Sequence, residues 1–328
     1  MARIVLGIGS SHSPQVSTPP EFWAGHAARD MHVYSLFDRA GNPTTYERLL
    51  ADADPELPAQ LTPEVKQRRH EACQAAIGRL AARIEEVAPD VVVIIGEDQH
   101  ELFHEDCMPA LLVYWGDTLA SAPHPWRTEQ DASLRDAAWG YGWDDKREFP
   151  IASALGERLI DGLIEHEFDV AHARYLKEGQ AIGHAFGFVY RRLLGGKPIP
   201  TLPVMVNTHY PPNQPTARRC YELGRVIKQT VEAWKSDARI GVIASGGLTH
   251  FVIDEQFDQE LLRTMKDRDA GKISSIPQRL LNSGTSEVRS WITAAAALTD
   301  LDMEIVDYQP SYRTPAGTGV GMGFAQWC

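Results

Sequence analysis

Three histidines occupy the same place after three separate apolar runs. Residues 4–8 lead into Gly9-Ser10-Ser11-His12, and residues 91–95 lead into Gly96-Glu97-Asp98-Gln99-His100. Residues 240–244 lead into Ser245-Gly246-Gly247-Leu248-Thr249-His250. Each run is short and rich in β-branched residues, the pattern of a buried strand. In open α/β sheets the ligand crevice lies beyond the carboxyl ends of the strands, so the three rings are expected to meet there. His184, where Gly183 opens a helix, and His209, just after residues 204–207, fit the same crevice more loosely. Grouped neutral imidazoles suit a transition metal. Two histidines and one carboxylate on one face leave coordination positions open and favour non-haem Fe(II), where an organic chelate and O2 bind together.

The carboxylate must come from another element, and Glu287 fits best. It follows Ser286, a cap-forming residue, and shares a helical face with Trp291, Ala294 and Leu298. An acid in the first turn of a helix is common. A charge on the apolar side is costly unless a cation lies close. Asp98, Glu97 and Glu255 are the rivals. The remaining histidines, His26, His32, His70, His104, His124, His166 and His172, fall in loops or on polar helix faces and read as solvated. Gly7-Ile8-Gly9 lacks the third glycine of a dinucleotide fingerprint, Gly195-Gly196-Lys197 is a helix-ending turn, and no GxSxG elbow is present. Cys73, Cys107, Cys220 and Cys328 are scattered, with no CxxC pair for zinc or redox chemistry.

The elements that must position these residues alternate. Strands are predicted at 4–8, 91–95, 110–115, 168–173, 203–207, 240–244 and 303–308. Helices are predicted at 63–88 with Thr62 as cap, and at 153–165, 183–194, 215–235, 254–270 and 286–298. Residues 18–62 and 116–150 read as long loop insertions, and the second holds Trp126, Trp139, Tyr141 and Trp143 as a lid or a satellite core. The expected fold is α/β, a single domain over residues 1–328, with a mixed, mostly parallel central sheet flanked by helices on both faces. The chain has 328 residues, and 32 Lys plus Arg against 44 Asp plus Glu give a net charge of −12. That balance excludes a nucleic-acid binder and docking on an anionic membrane surface. No apolar run approaches a membrane span, and the first residues lack a signal-peptide pattern, so a cytoplasmic protein is expected.

With these pieces in order, the chain resembles the type III extradiol ring-cleavage dioxygenases. The resemblance rests on Gly7-Ile8-Gly9-Ser10-Ser11-His12-Ser13-Pro14 and on residues 89–95 followed by Asp98 and Phe103. It extends through Gly246-Gly247-Leu248-Thr249-His250, Glu287 with Trp291, and the tail Tyr312-Arg313-Thr314-Pro315-Ala316 with Met322. It implies Fe(II) held by His12, His100 and Glu287, with His184 and His250 as acid/base and hydrogen-bonding groups in the pocket. Relatives read Asn-Asp-His where this chain reads Glu97-Asp98-Gln99-His100. Alignment from the strand puts Gln99 at the ligand position, and a one-residue shift in the turn brings His100 there. The implied partners are O2 and a small aromatic diol of the protocatechuate, gallate or methylgallate type. A homo-oligomer is expected, and some relatives add a small accessory subunit. A Zn2+ metallohydrolase on the same ligands, or a non-catalytic binding module, are the competing readings.

Overall fold

One eight-stranded sheet gathers strands from both ends of the chain in a computed structural model that describes residues 1–32 and 36–328. In chain order the strands are β1 (Arg3–Ser10), β2 (Val91–Gly96), β3 (Leu111–Tyr114), β4 (Thr118–Ser121), β5 (Arg147–Pro150), β6 (Ala171–Ala173), β7 (Thr201–Val206), β8 (Arg239–Ser245), β9 (Met303–Tyr312) and β10 (Gly319–Trp327). The sheet order is β6-β3-β7-β2-β8-β1-β10-β9, while β4 and β5 form a separate hairpin. The four central strands β7, β2, β8 and β1 are mutually parallel. β3, β10 and β9 run antiparallel to their inner neighbours. The sheet is therefore mixed with a parallel centre, as expected.

Parallel strands buried on both faces need apolar side chains on each side of the pleat. In β2, Val91, Val93 and Ile95 join one core cluster, and Val92 and Ile94 join the other. Helices Ser153–Glu165, Ala217–Ala233, Glu255–Lys266 and Val288–Ala297 cover the first face. Helix Pro63–Val87 and the helical stretch His184–Leu193 cover the second. Thr62 caps the first of these by accepting the Val65 N–H, with Pro63 at the first helical position.

β10 carries no signal in the usual alternation because Gly319, Gly321 and Gly323 occupy every second position. The reason is close packing on the backbone. A Cβ at Gly321 would lie 2.0 Å from the Asp258 carboxylate, and one at Gly323 would lie 2.7 Å from Leu248. The 18–62 excursion is also more ordered than its weak periodicity predicts, with helices at Trp23–Asp30 and Tyr46–Ala51. Among the described residues no helix is long and apolar enough to cross a membrane.

Candidate metal centre and active site

β1, β2 and β8 end side by side, so the turns after them deliver their side chains to one crevice. His12, two residues beyond β1, is buried, and its Nδ1 lies 2.8 Å from the Ser245 hydroxyl at the tip of β8. Ser245 donates its own proton to the Ala185 carbonyl at 2.7 Å, so it accepts from His12 Nδ1–H. This relay fixes the tautomer and leaves the Nε2 lone pair facing the crevice. Two carboxylates meet it there, Glu97 Oε1 at 3.3 Å and Glu287 Oε2 at 3.4 Å.

Glu287 ends a short 3-10 turn, Ser283–Glu287, that runs into helix Val288–Ala297. Ser286 therefore lies inside the turn rather than capping the helix. Helical spacing puts Glu287 and Trp291 on one face, and both grip the glycine turn after β8. Gly247 N–H donates to Glu287 Oε2 at 2.6 Å, and Trp291 Nε1 donates to the Gly246 carbonyl at 2.8 Å. The other oxygen, Oε1, faces His250 Nε2 at 3.1 Å and accepts from the Gln99 amide at 3.3 Å. Burial alone would raise the Glu287 pKa. The nearby His250 and His12, with the hydrogen bonds from His250 and Gly247, overcome it and hold the carboxyl below the usual range.

His250 donates Nδ1–H to the Leu248 carbonyl at 2.8 Å, which aims Nε2 at Glu287. Its ring is pressed against a bare backbone, since a Cβ at Gly284 would fall 2.0 Å from its Cδ2. His184 opens a helical turn after Gly183, and its Nδ1 and backbone N–H both engage Glu101, at 3.0 and 2.7 Å. Its Nε2 stands 3.2 Å from Glu97 Oε1. Burial opposes protonation of this ring, but the Glu101 and Glu97 carboxylates raise its pKa well above the ordinary value. His12, Glu97 and His184 can present one donor atom each within 4.8 Å of one another.

One expected member of the group is placed differently. His100 does not join the cluster. Its backbone is left-handed (φ 60°), so the ring leaves the turn outward and stacks on Tyr210, with centroids 3.7 Å apart. Its Nε2 is 3.6 Å from Glu105. Gln99 takes the inward position instead. His209, loosely placed by sequence, lines the cavity, and burial lowers its pKa. Of the rival acids, Glu97 enters the centre. Asp98 accepts the Leu102 and Phe103 N–H groups and closes the turn, and Glu255 accepts from the Tyr312 hydroxyl.

Two histidines read as solvated are buried. His124 lies beside Glu101 and packs its ring on Trp126. His26 sits on the cavity wall, where burial and then Arg313 and Arg29 push its pKa well down. Neither position stands at a strand tip, so sequence offered no sign of them. The tryptophan-rich insertion serves the site directly. Trp126 lines the cavity, and the buried Tyr141 donates its hydroxyl to the His12 carbonyl at 2.6 Å.

The cavity has a volume of about 300 Å3, within the range of small-molecule sites, and its wall carries Arg29, Asp30 and Arg313 besides the histidines. Among the described residues, Glu97 and His12 Nε2 have no hydrogen-bond partner despite near-complete burial. Two carboxylates converging on a ring-nitrogen lone pair in a buried crevice are the donor set of a divalent cation, so the residues present fit a metal.

The Thr249 that precedes His250 is fixed from behind. Asp258 accepts its N–H at 2.9 Å and its hydroxyl at 2.7 Å, and also accepts the Tyr308 hydroxyl at 2.8 Å. Complete burial raises the Asp258 pKa to about 7, against an ordinary 3.8, even with these hydrogen bonds opposing. The folded chain then holds this proton more tightly than the unfolded chain does. The resulting stabilisation is full below about pH 4 and lost as pH rises through 7, on the order of 4 kcal/mol in all. Asp258→Asn should therefore flatten the decline in stability over that window. Denaturant midpoints of both proteins at pH 4, 5.5 and 7 check this, and parallel pH profiles would refute it.

The sequence profile described as the catalytic LigB subunit of aromatic ring-opening dioxygenase matches residues 55–323. A 2,3-dihydroxyphenylpropionate/2,3-dihydroxicinnamic acid 1,2-dioxygenase of Photorhabdus laumondii is 24% identical over 276 residues, 67% of this chain and 79% of that protein. A similarly named enzyme of Comamonas testosteroni is 24% identical over 55% of this chain and 49% of its own length. A gallate dioxygenase of Pseudomonas putida is 30% identical over 107 residues, 32% of this chain and 30% of that protein.

Proposed function

The chain belongs to the family of catalytic LigB subunits of aromatic ring-opening dioxygenases, and we propose that it cleaves a carboxylated catechol beside its two hydroxyls, using Fe(II) and O2. The observation that carries this reading is the pair of carboxylates facing the free Nε2 of His12 at the end of a small-molecule cavity. His12 and Glu287 hold the metal in this reading, and His100 does not take part. Bound there, Fe(II) would supply a redox-active Lewis acid that brings diol and O2 together.

The chain's own groups do the rest. His184, oriented by Glu101, exchanges a proton with the substrate oxygens at Nε2 in the course of the reaction. His250 lines the cavity, steadies Glu287 and faces the diol. Trp126 and Tyr141 close the site from the side and limit water.

The cavity wall supports this substrate class. The names of the similar enzymes all denote carboxylated aromatics with two or three ring hydroxyls, and the wall holds two guanidinium groups. Arg313 is buried and fully engaged by Asp30, Gln15 and Ser13, so it builds the wall. Arg29 is about one-third exposed and bonded to Asp131 and His26, leaving donors to meet a substrate carboxylate. A charge-assisted hydrogen bond of this kind is worth about 10–100-fold in affinity. Arg29→Met should raise KM for a carboxylated catechol by about that factor and leave catechol itself nearly unchanged. Equal effects on both substrates would remove Arg29 from recognition.

The test of the activity is oxygen uptake by protein reconstituted anaerobically with Fe(II). Catechol, protocatechuate, gallate and 2,3-dihydroxyphenylpropionate form the panel. Ring-opened products absorbing in the near ultraviolet or visible are expected with at least one carboxylated member. No uptake with any of them would overturn the reading.

A further inference from the structure

We propose that Glu97 is a protein ligand of this centre, so that a second carboxylate joins His12 and Glu287 at the turn where a histidine was expected. The inference rests on the metal-dependent reading above and concerns a residue at which this chain departs from the pattern it otherwise resembles.

Three observations carry it. Glu97 is the first residue beyond β2, and β2 lies beside β8, whose other neighbour is β1. Its carboxylate therefore leaves the sheet into the crevice that also receives His12. The side chain is fully buried with no hydrogen bond made to either oxygen, and among the described residues it faces two imidazole nitrogens, His12 Nε2 at 3.3 Å and His184 Nε2 at 3.2 Å, and no Lys or Arg. A carboxylate in that condition is costly to fold around unless a cation completes it.

The geometry supplies the place for that cation. Glu97 Oε1 lies 3.3 Å from His12 Nε2, whose lone pair is turned inward by the Ser245 relay, and Glu287 Oε2 lies 3.4 Å from the same nitrogen. These three atoms are all acceptors, and they arrive from the tip of β2, the tip of β1 and the start of a helix. His184 Nε2 also lies within 4.8 Å of the His12 and Glu97 donor atoms, whereas the two later turn residues are committed elsewhere. Gln99 donates its amide to Glu287, and the His100 ring is stacked on Tyr210 outside the crevice. Two carboxylates cancel the charge of a divalent ion and shift the donor set towards oxygen.

The test is metal binding by the full chain rather than turnover. Metal-free protein is titrated anaerobically with Fe(II), and separately with Co(II), whose visible bands report the ligand set. Glu97→Gln keeps the size of the side chain and should weaken binding more than about 10-fold and change the Co(II) bands. Glu97→His should bind one equivalent with altered bands, which keeps the test informative if the amide variant folds poorly by circular dichroism. His100→Ala should match the parent. Parental affinity and bands in Glu97→Gln, or loss of metal in His100→Ala, would overturn the proposal. Parent protein that binds metal through Glu97 but consumes no O2 with any catechol would overturn ring cleavage and leave this ligand assignment standing.

Discussion

Replacing His12 by alanine should lower the affinity for Fe(II) by more than about 100-fold and reduce catechol-dependent oxygen uptake to background. His12 Nε2 is the nitrogen on which both carboxylates converge, and its partner nitrogen is held by Ser245. Removing the ring takes away the nitrogen that both buried carboxylates approach. The carboxylates still attract a cation, but without the imidazole nitrogen they hold Fe(II) with one ligand fewer. Ser245→Ala gives the graded control. It deletes only the hydrogen bond that sets the tautomer, and outer partners of this kind are worth about 10–100-fold in metal affinity. Anaerobic Fe(II) titration with elemental analysis checks both. Stoichiometric, tightly held iron in His12→Ala would remove His12 from the ligand set.

The second large effect is expected at His184. His184→Gln should lower kcat by about 100- to 10,000-fold while Fe(II) affinity stays within a few-fold of the parent. The argument is the division of labour between the two ring nitrogens. Nδ1 is tied to Glu101, which is itself held below the usual carboxylate range despite burial, chiefly by the charge of His184 and the hydrogen bonds of His124 and His184. That pair keeps Nε2 basic, facing Glu97 at 3.2 Å, with the ring on the cavity wall. Glu101→Gln should reproduce part of the loss by weakening the base, and it should shift the acid limb of the kcat profile to lower pH. If His184→Gln instead loses iron in proportion to activity, His184 is a ligand and the proton transfer must be assigned elsewhere.

The strands that end at the site were legible because buried parallel strands have a plain signature, short β-branched runs closed by glycine turns. The register of His12 and His250 beyond such runs placed both rings correctly. Glu287 was legible through helical spacing, since it shares a face with Trp291 and both contact the turn after β8. Where the chain folds back on itself without periodicity, the same reasoning had no purchase. β10 alternates glycine with apolar residues because Asp258 and Leu248 pack directly on its backbone. His26 and His124 are buried by the two long insertions, whose course depends on what they cover.

The choice between Glu97 and His100 shows the boundary most clearly. Sequence determined that a turn rich in metal-ligating residues follows β2, that it meets the turns after β1 and β8, and that a carboxylate from the last helix joins them. Composition and strand spacing suffice for that, because sheet topology places strand ends together whatever their turns contain. Which residue of Glu97-Asp98-Gln99-His100 points inward depends on backbone dihedrals and neighbours far away in sequence. The left-handed His100, its stack on Tyr210, and the capture of Asp98 by two backbone N–H groups turn the chain so that Glu97 faces His12. A four-residue turn has several such solutions, and only the packed tertiary structure selects one.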